Sequence, residues 1–119
     1  FAQEKQYAKA LKAYKQALDL APDNAELLND IAWLYATADE PGFRRPREAL
    51  RYASRAAKLK PVAHILDTLA ESLFINGYTE KAIATEEEAL KRDFSRRSYY
   101  QTQLKRFKMS LKLPKKDYD

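Results

Sequence analysis

The 119-residue sequence contains no cysteine, and only two glycines, one histidine, one tryptophan and one methionine. Without a thiol there can be no disulfide, thiolate zinc site, iron–sulfur cluster or cysteine nucleophile. Two glycines leave little scope for a sheet rich in tight turns or for a glycine-rich phosphate loop. A metal site or catalytic triad built on imidazole would have to rest on His64 alone. No apolar run approaches the roughly 20 residues that a membrane-spanning helix requires. The opening residues, from Phe1 to Lys5, are neither an initiator methionine nor a signal peptide, so the chain reads as a piece of something longer.

What is present points to a helical protein. Hydrophobic residues make up 45%, enough to bury a core, and charged residues 33%. The net charge of +5 is unevenly placed. Residues 1–90 carry 12 basic and 14 acidic side chains, whereas residues 91–119 carry 10 basic and 3 acidic. A mildly acidic body therefore precedes a strongly basic C-terminal section.

The body repeats itself. Ala10, Ala49 and Ala82 recur at intervals of 39 and 33 residues, and Ala17, Ala56 and Ala89 repeat the same intervals. Pro22 and Pro61 are also 39 apart. A period near 34 marks paired-helix repeats, and the longer interval is that period plus a short insertion at about Asp39–Phe43. Between these segments Leu28, Ile31, Ala32 and Tyr35 form one helical stripe, and Leu66, Leu69, Ala70 and Leu73 form another. The pattern predicts six helices, at about 6–20, 24–38, 46–59, 63–76, 79–92 and 96–112, and no strands. Asp23 with Glu26 reads as a capping box, Pro46 as a first-turn proline, Asn76 and Gly77 as a left-handed stop, and Thr79 as an N-cap.

The small and large residues at Tyr7, Ala10, Tyr14, Ala17 and Pro22, at Leu28, Ile31, Ala32 and Tyr35, and from Leu66 through Gly77 to Ala89 resemble the tetratricopeptide repeat. Residues 31–38 and 66–73 are similar to a variant common in bacterial members, which also carries a loop insertion between helices. The resemblance implies an all-α, right-handed solenoid of antiparallel helix pairs, with about two and a half repeats. The expected divisions are a half repeat at 1–23, repeats at 24–61 and 62–93, a capping helix at 95–112, and a loose basic tail at 113–119. By the same register, Phe1 would end a leading helix lying upstream, leaving an open face around Leu11 and Tyr14. The stripe Tyr100, Leu104, Phe107 and Leu111 would close the other end, with Pro114 terminating the helix.

The resemblance also implies a concave groove lined by the first helix of each pair. The expected lining is Glu26, Asn29, Asp30, Trp33 and Thr37 from one helix, and His64, Asp67, Thr68, Glu71 and Ile75 from the next, with Phe74 nearby. This acidic, polar strip suits a peptide carrying Lys or Arg. Asp30, Asp67, Glu71 and Trp33 are its preferred contacts. Asp30, His64 and Thr68 stand where a carboxylate clamp would need Asn, Lys and Arg, which disfavours that ligand. Trp33 reads either as a ligand anchor or as a side chain packed against the next helix or under the insertion at 39–43. His64 reads as solvent-facing or hydrogen-bonded, and Glu86, Glu87 and Glu88 as a solvated face supporting Lys91 or Arg92.

A second candidate surface is the basic patch of Arg96, Arg97, Lys105, Arg106, Lys108 and Lys112. A further basic cluster spans Arg44, Arg45, Arg47, Arg51 and Arg55. The resulting expectation is a non-enzymatic interaction module that needs no cofactor or metal and docks a protein or peptide partner, a basic one by the charge of the strip, in its groove. Two alternatives are self-association through the face around Leu11 and Tyr14, and an adaptor that binds an anionic membrane surface or acidic protein through the basic helix. Nucleic acid is disfavoured, since no recognised motif accompanies the charge.

Overall fold

A computed structural model describes the backbone of residues 2–112. Phe1 and residues 113–119, which carry the expectations of an upstream aromatic, of Pro114 as a stop and of a loose tail, lie outside the described residues. Six helices follow one another: α1 (Ala2–Leu20), α2 (Ala25–Thr37), α3 (Pro46–Leu59), α4 (Ala63–Ile75), α5 (Thr79–Arg92) and α6 (Arg97–Ser110). Short 3-10 turns at Pro41–Phe43 and Phe94–Arg96 precede α3 and α6, and no strand occurs among the described residues.

Alanine determines how these helices stack. Ala32, Ala49, Ala53, Ala56, Ala70, Ala82 and Ala89 have no exposed surface, while Ala10 and Ala17 in α1 are half-buried. A methyl at each crossing lets backbones approach closely, and larger side chains fill the spaces between. Leu28, Ile31 and Ile65 are wholly buried in this way, each contributing about 1.5–3 kcal/mol of apolar burial. α2 packs on α3 and α4 on α5, while α1 packs on α2, α3 on α4 and α5 on α6. α2 and α4 also touch directly, and Tyr99 and Arg106 of α6 bond to α4, so the even-numbered helices share one side of the molecule.

An arginine secures each of the first two inter-repeat loops. Arg55 on α3 donates to the Pro22 carbonyl at 2.9 Å, and Arg92 on α5 donates to the Pro61 carbonyl at 2.8 Å. Proline lacks an N–H but keeps its carbonyl as an acceptor, and the guanidinium of the following repeat satisfies it. The insertion folds against α1: Phe43 lies 5.6 Å from the Tyr7 ring, and the Asp39 N–H donates to the Tyr7 hydroxyl at 3.2 Å. The Arg45 N–H closes the loop on the Tyr35 carbonyl at 2.9 Å.

Several local expectations are corrected. Asn24, not Asp23, caps α2, its side chain accepting from the Leu27 N–H at 3.1 Å. Asp23 is drawn instead to Arg55, 3.1 Å away. Thr79 is the first residue of α5 rather than its cap, because the preceding turn is so tight. There Gly77 adopts φ +89°, Tyr78 N–H donates to the Leu73 carbonyl and Gly77 N–H to the Phe74 carbonyl, the double bond of a Schellman stop. Leu11 and Tyr14 do not form an open face: they are half-buried against the cluster of Ile31, Leu34 and Tyr35. The apolar stripe of α1 is already used on α2. Tyr100, Leu104 and Phe107 are buried as the α6 stripe requires, but Leu111 falls just past the helix and is 54% exposed.

The two glycines provide a test of the α4–α5 stop. No neighbour would obstruct a Cβ at either Gly77 or Gly42, and only Gly77 has a positive φ. Gly77→Ala is therefore expected to cost about 1–2 kcal/mol from backbone strain alone, and Gly42→Ala to be nearly neutral. Urea unfolding of the two variants, monitored by circular dichroism, checks this; equal midpoints would contradict it.

Candidate binding groove

The side of the molecule shared by the even-numbered helices carries a groove of about 610 Å³. α1 contributes Gln6, Tyr7, Ala10 and Tyr14 to its lining, and α2 contributes Asn29, Asp30, Trp33, Leu34 and Thr37. α4 contributes His64, Asp67 and Thr68, and α6 closes the lining with Tyr99. Seven of the ten anticipated residues thus converge: Asn29, Asp30, Trp33, Thr37, His64, Asp67 and Thr68. Glu26, Glu71 and Ile75 do not. Glu26 sits at the start of α2, where its carboxylate meets His64 at 2.8 Å and Lys60 at 3.1 Å. The His64 hydrogen bond, aided by Lys60, holds the Glu26 carboxyl below its ordinary pKa. Ile75 turns toward α3 and packs on the Ile31 cluster.

The groove is lined by aromatic rings and oxygen acceptors. Trp33 lies at its edge with 36% of its surface exposed, and is not sealed beneath the insertion. Asp30 is half-buried and makes no hydrogen bond or ion pair among the described residues. Burial, together with the nearby negative charge of Glu26, raises its pKa. Asn29 Oδ1 and Asp67 Oδ1 are buried and also lack partners. Tyr7, Tyr14 and Tyr99 were missed as lining residues because their apolar spacing marks them as core. Only the packing of α1 and α6 reveals that each also has a wetted side.

α6 changes the role of the acidic residues on α4. Asp67, 5% exposed, accepts from the Tyr99 hydroxyl at 2.8 Å, and Glu71, 6% exposed, is bonded to Arg106. The Arg106 guanidinium also lies 5.1 Å from the Phe74 ring and 4.9 Å from that of Phe107. The expectation that Asp67 and Glu71 are open ligand contacts is corrected accordingly, since both are committed to α6.

Glu86 is a second correction. It is fully buried rather than part of a solvated face, and neither carboxyl oxygen has a hydrogen-bond partner. Burial, reinforced by Asp67 and Glu71 and opposed by Arg106, pushes its pKa up to about 10. Glu86 is accordingly a neutral acid at pH 7, able to donate its proton to Asp67. Of its neighbours, Glu88 pairs with Arg92 at 3.0 Å, as the i, i+4 spacing anticipates. No group of three His, Asp or Glu residues that could hold a metal occurs among the described residues.

The basic patch is divided rather than continuous. Arg96 lies 4.7 Å from the Tyr99 ring and Arg97 5.0 Å from that of Phe94, while Arg106 is turned to Glu71. Lys105, Lys108 and Lys112 face a different groove, on the α5 side of α6. The arginines of residues 44–55 separate similarly, Arg44 binding the Ala38 carbonyl and Arg55 the Pro22 carbonyl.

The buried acid makes stability depend on pH. A carboxyl whose folded pKa exceeds its unfolded value favours folding most below the unfolded value, about 4.5. That contribution is lost progressively as pH rises toward the folded value. Glu86→Gln keeps the shape and a donor toward Asp67, so its stability relative to the parent should grow between pH 5 and pH 9, by about 1 kcal/mol or more. Urea unfolding of both proteins across that range checks the slope; parallel curves would show that Glu86 ionises normally.

No curated protein matches the sequence. A family model described as TPR repeat matches residues 1–38, which span α1 and α2. The match ends where the insertion begins, and the alanine-spaced pairs α2–α3 and α4–α5 continue the same arrangement beyond it. Residues 1–38 thus match the tetratricopeptide repeat family, and the described residues have an all-α helical-repeat fold compatible with it.

Proposed function

We propose that the groove between α1, α2, α4 and α6 docks a peptide segment through a Lys or Arg side chain, and that the chain works as a non-enzymatic interaction module. Tetratricopeptide repeats generally mediate protein–protein interaction, and the finer reading rests on the groove's chemistry. The observation that carries it is a pair of adjacent acceptors on α2: the Asp30 carboxylate, half-buried and without a partner among the described residues, and Asn29 Oδ1, buried and unpartnered. Buried acceptors without donors are costly, and a ligand bringing several N–H groups would satisfy them. A guanidinium or ammonium does so without adding an acceptor, and its charge offsets that of Asp30. Trp33, Tyr7, Tyr14 and Tyr99 provide ring faces beside those oxygens, which favour a cation further.

Trp33, the only tryptophan in the chain, reports on the groove directly. Pools of end-blocked peptides of about 12 residues, extended enough to cross the groove, would be titrated against its fluorescence. Peptides centred on Lys or Arg should shift the emission, and peptides centred on Asp or Glu should not. Asp30→Asn is expected to weaken the basic peptides about tenfold, as for a lost charged hydrogen bond, and to flatten their salt dependence. Equal response to both pools, or an unchanged affinity for Asp30→Asn, would refute the reading.

A further inference from the structure

A second groove, of about 700 Å³, runs between α5 and α6. Its apolar lining is Leu90 from α5 with Leu104 and Met109 from α6, and its rim carries Lys91, Lys105, Lys108 and Lys112 with Glu87. Gln101, Lys105 and Lys108 fall at intervals of four and three residues, which place them along one stripe of α6, and Lys112 follows four residues later in the turn past its end. At 1.5 Å per residue the stripe on the helix is about 10 Å long, or two helical turns. Among the described residues none of the four lysines has an ion pair. The acids nearest in sequence are committed elsewhere or outnumbered: Glu88 binds Arg92, and Glu87 alone faces the four cations.

The position of the groove in the fold indicates the shape of its occupant. α2 is covered by the following helix α3, and α4 by the following helix α5. Among the described residues α6 has no such follower, so its uncovered side repeats a geometry that elsewhere receives a helix. We infer that this groove docks an acidic amphipathic helix of a partner protein, with apolar residues on Leu90, Leu104 and Met109 and flanking carboxylates on the lysines. Charge complementarity makes the partner acidic, and the apolar floor makes its inner face aliphatic. A bilayer surface fits less well, because Leu104 is recessed, only 7% exposed, between lysine rims. Nucleic acid would leave the apolar floor without a counterpart. This surface lies on the other side of α6 from the Tyr99-lined groove, and the inference does not depend on that groove's ligand.

The probe is a fluorescent, end-blocked peptide of about 18 residues, long enough to span α6, with leucines at i, i+3, i+4 and i+7 and glutamates beside them. Binding is read by anisotropy, and helix formation by circular dichroism. The full chain is expected to bind it and raise its helicity, and to bind a scrambled peptide of the same composition at least about tenfold more weakly. Lys105→Glu with Lys108→Glu, and separately Met109→Gln, should each weaken binding by about tenfold. These side chains are exposed, and thermal melts verify that the variants fold. Asp30→Asn should leave the affinity unchanged, which separates failure here from failure of the concave groove reading. Equal binding of the scrambled peptide, or indifference to either lysine or methionine replacement, overturns the inference. So does tighter binding of phosphatidylserine vesicles or duplex DNA than of the peptide, which would assign the lysines to a membrane or nucleic acid.

Discussion

Close approach of helix backbones at alanine is the constraint on which the remaining features depend. Where Ala32, Ala49, Ala70 and Ala82 are wholly buried, the inter-helix distance is set by a methyl, and the large residues can occupy only the gaps on either side. That spacing brings α2 and α4 side by side and places Asn29, Asp30, Trp33, His64, Asp67 and Thr68 around one hollow. It also fixes the offset between repeats that lets Arg55 reach Pro22 and Arg92 reach Pro61. Longer side chains at the crossings would move every one of these partners apart, and packed interiors yield little to such pressure.

α6 unites two tasks that are usually separate. Tyr100 and Phe107 cover the apolar end of the stack with no exposed surface of their own. One helical face away, Tyr99 and Arg106 engage Asp67 and Glu71 and complete a polar layer around the neutral acid Glu86. A buried charge is tolerable only when it is neutralised or fully bonded. Here one carboxyl is kept protonated while the other two receive a phenol and a guanidinium. The capping helix is therefore also a wall of the concave groove, and the groove's character at that end depends on how α6 sits.

Much of the architecture was legible because it depends on periodicity. The alanine intervals located the repeats, Asn76 and Gly77 located the stop, and the six helix spans follow from the apolar stripes. The caps were less legible: Asp23 and Asn24 are both good N-caps in isolation, and only the approach of Arg55 decides between them. Seven of the ten groove positions could be read from helical geometry and family resemblance. The acidic residues could not be assigned a state, because a carboxylate on a polar helix face looks alike whether water or a neighbouring helix covers it. Glu86 illustrates the point: between Thr85 and Glu87 it reads as surface, yet it falls on the face of α5 turned toward α4 and α6. Arg106 likewise reads as part of a basic patch, because its partner Glu71 lies 35 residues away.

The arginine–proline contacts bear on how the molecule comes apart. Each ties one loop to the helix of the next repeat and to nothing more distant, so the links form a chain of nearest neighbours rather than a web. The Phe94 turn stands where a third proline would fall, and no further helix follows α6 among the described residues to reach back to it. Cooperativity in such an array is transmitted link by link, and each link is breakable on its own. Unfolding then resembles the opening of a zip rather than the collapse of a globule, with local opening at one end leaving the central pair, α3 and α4, intact.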